Sequence, residues 1–217
     1  MPPPLVLVHG LSGSSRWWTP VLPHLREQLP LHLLDVPRFR RRFRPADATT
    51  WLARRLDADG LDHADLLGHS LGGLVAAQLA ARRPELVRKL VLVAPAGIPF
   101  GRPFAGHAVP LARTLVDARR QAVVLLHGAA RAGPSSLLRG GRYAASADVR
   151  EELGSIRAPT LLVWGARDAL VPAWLAAEWA GRVGDSRTVL LDGAGHVPMW
   201  DAPDALAEKV LAFLTEG

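Results

Sequence analysis

The 217-residue chain contains no cysteine. Disulfides, thiolate zinc sites and a cysteine nucleophile are therefore excluded. No apolar run approaches the length needed to cross a bilayer. The opening Met1-Pro2-Pro3-Pro4-Leu5-Val6-Leu7-Val8 lacks the basic segment and long apolar stretch of a signal peptide, so a cytoplasmic location with no membrane partner is expected. Internal repeats and low-complexity tracts are absent as well, which leaves an ordinary globular composition.

Lysine is scarce, and the formal charge of +6 is carried almost wholly by arginine. The densest cluster is Arg38-Phe39-Arg40-Arg41-Arg42-Phe43-Arg44. A basic run with interleaved aromatics can contact nucleic acid or an acidic partner. No nucleic-acid motif accompanies it, so a solvated loop is the simpler reading.

What is present is a regular alternation. Short apolar runs at Leu5–Val8, Leu31–Leu34, Asp65–Leu67, Leu90–Val93, Thr160–Trp164 and Thr188–Leu191 read as buried strands. Helical segments separate them: about Trp17 to Leu29, Asp47 (as N-cap) to Leu56, Leu71 to Arg83, one through Trp174 and Trp179, and one opening at Pro203. This pattern predicts an α/β fold, a mostly parallel sheet with helices on both faces, in a single domain. The alternation breaks once. Residues 98–147 hold apolar helical patches (Val109 to Val116, Val123 to Leu126, Ser135 to Leu138) but no convincing strand. They are expected to form a short helical cap inserted into a core of residues 1–97 and 148–217.

Gly68-His69-Ser70-Leu71-Gly72-Gly73 lies between a predicted strand and a predicted helix. A serine on so sharp a turn exposes its hydroxyl above the sheet, and the turn crowds the residues two before and two after it. A helix N-terminus then lies under any oxyanion that develops, with the Leu71 N–H free to donate. A serine needs a base to become a nucleophile. His196, in Gly193-Ala194-Gly195-His196-Val197-Pro198, follows the last strand and so shares the carboxyl edge of the sheet with the serine. His9 and His69 belong to turns and read as structural. His24, His32, His63, His107 and His127 lack a comparable setting. Asp168, in Trp164-Gly165-Ala166-Arg167-Asp168, is the acid expected to orient the imidazole. Asp192 competes but precedes the histidine loop too closely to reach around. His9-Gly10-Leu11-Ser12-Gly13 supplies a second oxyanion donor, the Leu11 N–H.

These segments resemble the α/β-hydrolase superfamily nearly end to end, above all small bacterial serine esterases with a helical lid. The resemblance rests on Val8-His9-Gly10-Leu11 with Trp18, Leu67 to Gly73, Pro159 to Asp168, and Gly193 to Pro198. It implies a serine carboxylesterase, with ester hydrolysis through an acyl-serine and no metal or cofactor. With Ser70 as nucleophile, relatives that use aspartate (dehalogenases, epoxide hydrolases) are disfavoured. Two departures stand out. Only Met1 to Pro4 precede the first strand, where a β-hairpin is usual, so Leu31–Leu34 is expected to be a sheet edge, either protected by Pro37 and the arginines or open to a homodimer. The small-residue turn that usually follows Asp35 is replaced by Val36-Pro37-Arg38.

For the substrate, an apolar pocket is expected from the cap residues Val109, Leu111, Leu115, Val123 and Leu126, with Trp17, Trp18 and Met199 near the triad. That pocket suits small to medium acyl esters. A thioesterase or carrier-linked methyl esterase that uses the arginines, a C–C bond hydrolase, and a receptor-like binding protein are the alternatives.

Overall fold

The computed structural model describes residues 2–11, 13–40, 42–101, 106 and 122–216. Six strands form one sheet: β1 (Leu5–Val8), β2 (Leu31–Leu34), β3 (Ala64–His69), β4 (Val87–Val93), β5 (Thr160–Gly165) and β6 (Ser186–Leu191). Their order is β2-β1-β3-β4-β5-β6, and every neighbouring pair is parallel. The register sets Leu7 beside Leu67, Leu67 beside Val91, and Val91 beside Leu161. The alternation of side chains in each strand divides the core into two layers. Val6, Val8, Leu66, Leu92, Leu162 and Trp164 face one layer, and Leu5, Leu7, Leu67, Val91, Leu161 and Val163 face the other.

Helices cover both layers. The first is closed by α2 (Ala48–Ala58), α3 (Leu71–Arg82), α6 (Arg150–Leu153) and α7 (Leu175–Ala180). The second is closed by α1 (Leu22–Arg26) and α9 (Pro203–Thr215), whose Leu206, Val210, Phe213 and Leu214 are buried on one face as their spacing predicts. Two further helices, α4 (Ala122–Ala132) and α5 (Pro134–Ser146), lie between β4 and β5. A short helix, α8 (Pro198–Asp201), precedes α9.

Three local expectations need correction. The helix expected over Trp17 to Leu29 is a 3-10 turn at Ser15–Trp18 followed by the short α1. Pro20 and Pro23 break it, because each lacks the N–H that an interior helical position must donate. Asp47 does not cap α2 with its side chain. Its carboxylate instead accepts the Arg44 N–H at 2.7 Å and pairs with the Arg44 guanidinium. Finally, Trp174 precedes α7 rather than lying within it.

Within the arginine run, Arg40 and Phe43 pair across a tight turn. They exchange backbone hydrogen bonds, and the rings of Phe39 and Phe43 stack at 5.8 Å. Phe39 is buried, and Arg38, Arg40, Arg42 and Arg44 are exposed. β2 lies at the sheet edge beside this turn. Because all six strands run the same way, the loops after β1, β3, β5 and β6 open on one carboxyl edge, where open α/β sheets bind ligands.

Candidate active site

Ser70 occupies the junction of β3 and α3 with φ 52° and ψ −117°, a region that non-glycine residues rarely adopt. The surroundings hold it there. Its N–H donates to Val93 O at 3.0 Å, and its carbonyl accepts the N–H groups of Leu74 and Ala96 at 3.0 and 3.1 Å. The two nearby glycines are sterically required. A Cβ on Gly72 would lie 2.3 Å from Val8 O, and one on Gly68 would lie 2.7 Å from Gly72 O.

His196 reaches this turn from the loop after β6. The Ser70 hydroxyl donates to its Nε2 at 3.1 Å, and its Nδ1–H donates to Asp168 Oδ2 at 2.8 Å. The tautomer follows from these partners, since a carboxylate only accepts. The second oxygen of Asp168 accepts the Leu170 and Val171 N–H groups, each at 2.9 Å, so the carboxylate is fixed on both sides. Ser70, Asp168 and His196 thus form one hydrogen-bonded chain, in which Asp168 and His196 are buried and Ser70 is partly exposed. Asp192, the competing acid, is exposed.

The histidine loop is anchored by Asp201, Arg167 and His69. Gly195 N–H donates to Asp201 Oδ2 at 2.8 Å, and Arg167 N–H donates to Ala194 O at 2.9 Å. His69 Nε2–H donates to the carbonyl of His196 at 2.8 Å. Burial pushes the His69 imidazole down to about 3.

The loop after β1 is ordered by His9. Val36 N–H donates to His9 Nε2 at 3.1 Å, which leaves the proton on Nδ1, and Nδ1–H donates to Gly10 O at 2.8 Å. Gly13 N–H meets the same oxygen at 3.1 Å. Two donors on one carbonyl fix the plane of the Gly10–Leu11 peptide, and with it the direction of the Leu11 N–H. Burial lowers the His9 pKa and favours the neutral ring this geometry uses. Asp35 ties the loop to α4: it accepts Ser15 N–H at 2.6 Å and pairs with Arg131 at 2.8 Å.

Leu11 and Leu71 line a common cleft with Gly10, Gly72, Phe39 and Arg131. The replaced turn Val36-Pro37-Arg38 forms part of its wall. α5 closes over it: Ser136 Oγ accepts Phe39 N–H at 2.9 Å, and a Cβ on Gly140 would lie 2.5 Å from the Leu11 side chain. Sequence reasoning did not single out Asp35, Phe39, Ser136, Gly140 or Asp201; the first four act through contacts distant along the chain, and Asp201 through the backbone of Gly195 six residues before it.

The expected pocket residues fare differently. Trp17, Trp18 and Met199 are buried in the core layer of α1 and α9 and do not line the cleft. The 3-10 turn tucks both tryptophans under the sheet, and the Trp17 ring edge meets His69 at 6.3 Å. Val123 and Leu126 are 79% and 71% exposed on α4, so they do not line it either. Val109, Leu111 and Leu115, with His107, lie outside the described residues. Among the described residues, no group of histidine and carboxylate side chains is placed to hold a metal ion, and no helix is long and apolar enough to cross a membrane.

A profile described as "Alpha/beta hydrolase family" matches residues 5–209. The chain belongs to the α/β-hydrolase family. It is 32% identical to a pimeloyl-[acyl-carrier protein] methyl ester esterase of Neisseria meningitidis serogroup B, over 97% of this chain and 92% of that one. It is 31% identical to the protein of the same name from Pectobacterium carotovorum, over 96% and 93%. The alignment with the Neisseria protein spans 246 positions, more than this chain possesses, so that relative carries internal stretches without a counterpart here. Among solved structures, a hydrolase from Pseudomonas aeruginosa superposes with a TM-score of 0.82 at 24% identity, over 99% of this chain and 91% of that one. An all-parallel sheet flanked by helices is thus combined with esterase-named bacterial relatives, and the chain is a hydrolase of the carboxylic-ester class.

Proposed function

We propose that this hydrolase cleaves carboxylic esters through an acyl-serine intermediate, with Ser70 as nucleophile, His196 as general base and acid, and Asp168 as the orienting carboxylate. The observation that carries the reading is the hydrogen-bonded chain from Ser70 Oγ through His196 to Asp168. Ser70 Oγ attacks the acyl carbon while His196 Nε2 takes its proton. The N–H groups of Leu11 and Leu71 receive the oxyanion, and loss of one such donor costs roughly a hundred- to a thousandfold in turnover. His196 then gives its proton to the departing alcohol. A water, deprotonated by the same nitrogen, attacks the acyl-serine and releases the carboxylic acid and free Ser70.

For the substrate, the methyl ester of a carrier-linked acyl chain is the reading we favour over a simple small-acyl ester. The relatives named as esterases of pimeloyl-carrier methyl esters match this chain from end to end. Exposed Arg38, Arg131, Arg139 and Arg142 stand around the cleft and on α4 and α5, where an acidic carrier would meet them. Residues 98–147 act as the cap in this reading, and the protein works in the cytoplasm, where acyl carriers are found.

Two comparisons test the proposal. Hydrolysis of p-nitrophenyl esters from acetate to decanoate by the wild type should vanish in Ser70→Ala. Hydrolysis of a carrier-linked methyl ester should exceed that of the same methyl ester without its carrier, and salt should erase the advantage. Equal rates at low salt would return the substrate to simple esters.

A further inference from the structure

The distance between nucleophile and base is not set by the sheet. Ser70 follows β3, and His196 follows β6, with β4 and β5 between them. At about 4.8 Å per strand the two loops start roughly 14 Å apart. The loop after β6 must lean back across the sheet edge and be held there. The hydrogen bond between Ser70 and His196 cannot serve as the holder, because it is consumed each time the proton transfers.

We propose that His69 is a positioning residue that fixes the base against the nucleophile, by donating its Nε2–H to the backbone carbonyl of His196, in addition to the Asp201 and Arg167 contacts that hold the loop behind it. His69 is the residue immediately before Ser70, so the strand end that carries the nucleophile also grips the backbone of the base at 2.8 Å. The bond involves the His196 main chain, so it persists whether the His196 ring is neutral or charged. The two rings lie 5.0 Å apart, and a charged His69 would repel the imidazolium formed during turnover. Burial holds His69 neutral at working pH. Its Nδ1 is buried without a hydrogen-bond partner, facing Gly10, where a Cβ would come within 2.9 Å. A lone pair left unpaired inside a protein is a cost. It is tolerated here because the ring is held by its other nitrogen and wedged between the oxyanion loop and the histidine loop.

The inference rests on the serine-hydrolase reading, and the test separates the two. Three variants are compared with the wild type: Ser70→Ala, His69→Phe, which keeps a ring but no donor, and His69→Gln, whose amide can donate from the Nε2 position. The readouts are kcat and KM on p-nitrophenyl butyrate, the second-order rate of serine labelling by a fluorophosphonate, and the melting temperature. A folded His69→Phe should lose about 10- to 100-fold in kcat and labelling rate with little change in KM, the usual size of a misplacement near 1 Å. His69→Gln should recover most of that loss. Wild-type rates in folded His69→Phe, or His69→Gln no better than His69→Phe, would overturn the inference while leaving the hydrolase reading intact. Hydrolysis and labelling that survive in Ser70→Ala, or a wild type inert to both reagents, would overturn both. Should His69→Phe fail to fold, imidazole nitrogen NMR of the wild type decides. The neutral Nε2–H tautomer, unchanged in the fluorophosphonate adduct, is expected, and an Nδ1–H tautomer or a freely exchanging ring would contradict the role.

Discussion

The carboxyl edge of the sheet and the helices over it are held in place by different physics. At the edge, Ser70, Asp168 and His196 are buried or half-buried; Ser70 is tied to Val93 and Ala96 and His196 to His69 across the chain, and Asp168 is held by the backbone N–H groups of Leu170 and Val171. Over it, α4 and α5 expose Val123, Leu126 and Leu138 together with Arg131, Arg139 and Arg142. Among the described residues, their contacts with the core include Ser136 on the cleft wall, Gly140 against Leu11 and Phe39, Tyr143 donating to Gln78 at 3.2 Å, and Arg131 on Asp35. The first region suits chemistry that tolerates little displacement. The second suits recognition by charge, which acts over distance and needs no single geometry.

The largest contrast should come from the reacting groups. Ser70→Ala and Asp168→Asn are each expected to lower kcat/KM by about 10⁴-fold or more at unchanged fold, checked by steady-state kinetics beside circular dichroism. Next comes the nucleophile turn. Gly72→Ala forces a Cβ to 2.3 Å from the Val8 carbonyl, and it should cost at least about 3 kcal/mol or abolish soluble expression. Gly154→Ala, at a helical φ of −66° with open space around it, should be neutral or stabilise by up to about 1 kcal/mol. Urea titration of both variants tests whether the edge is indeed the sterically exacting part.

Acid should find the same region. His69 stays neutral in the folded chain down to about 3, whereas the unfolded chain takes up a proton near the ordinary value of 6.5. The folded pKa is the lower one, so stability is full above 6.5 and drains away as pH falls toward 3. From pH 7.5 to pH 5 the loss is about 2 kcal/mol from His69 alone, and His9 adds to it in the same direction. Urea midpoints across that range should fall in the wild type and fall less in His69→Gln. The smallest effect belongs to the outer helices. Arg139→Glu with Arg142→Glu should leave p-nitrophenyl acetate hydrolysis within about twofold and raise KM for a carrier-linked methyl ester several-fold at low salt, with the difference fading as salt screens it.

The sheet and the hydrogen-bonded chain were legible because both are written locally. Four-residue apolar runs such as Leu5–Val8 have few alternatives to a buried strand, and Gly68 to Gly73 carries its own steric logic. The cleft wall was not legible. Trp17 and Met199 look like pocket residues by nearness to the motifs, yet both are buried in the core layer of α1 and α9. Val123 and Leu126 recur at helical spacing, and that spacing says nothing about which side of α4 meets the protein. Phe39 and Ser136 form the wall through a contact about 100 residues apart along the chain, which no local pattern encodes. His69 reads as a structural turn residue by its local setting, because its bond to His196 spans 127 residues.

The central claim is that a covalent acyl group passes through Ser70. Rapid-quench mass spectrometry of the wild type with p-nitrophenyl butyrate tests it directly. The account predicts a transient butyryl adduct that maps to Ser70, forms with the nitrophenol burst, and is missing in His196→Ala within the same time window. Turnover with no adduct on Ser70, or an adduct on another residue that decays at the turnover rate, would contradict it.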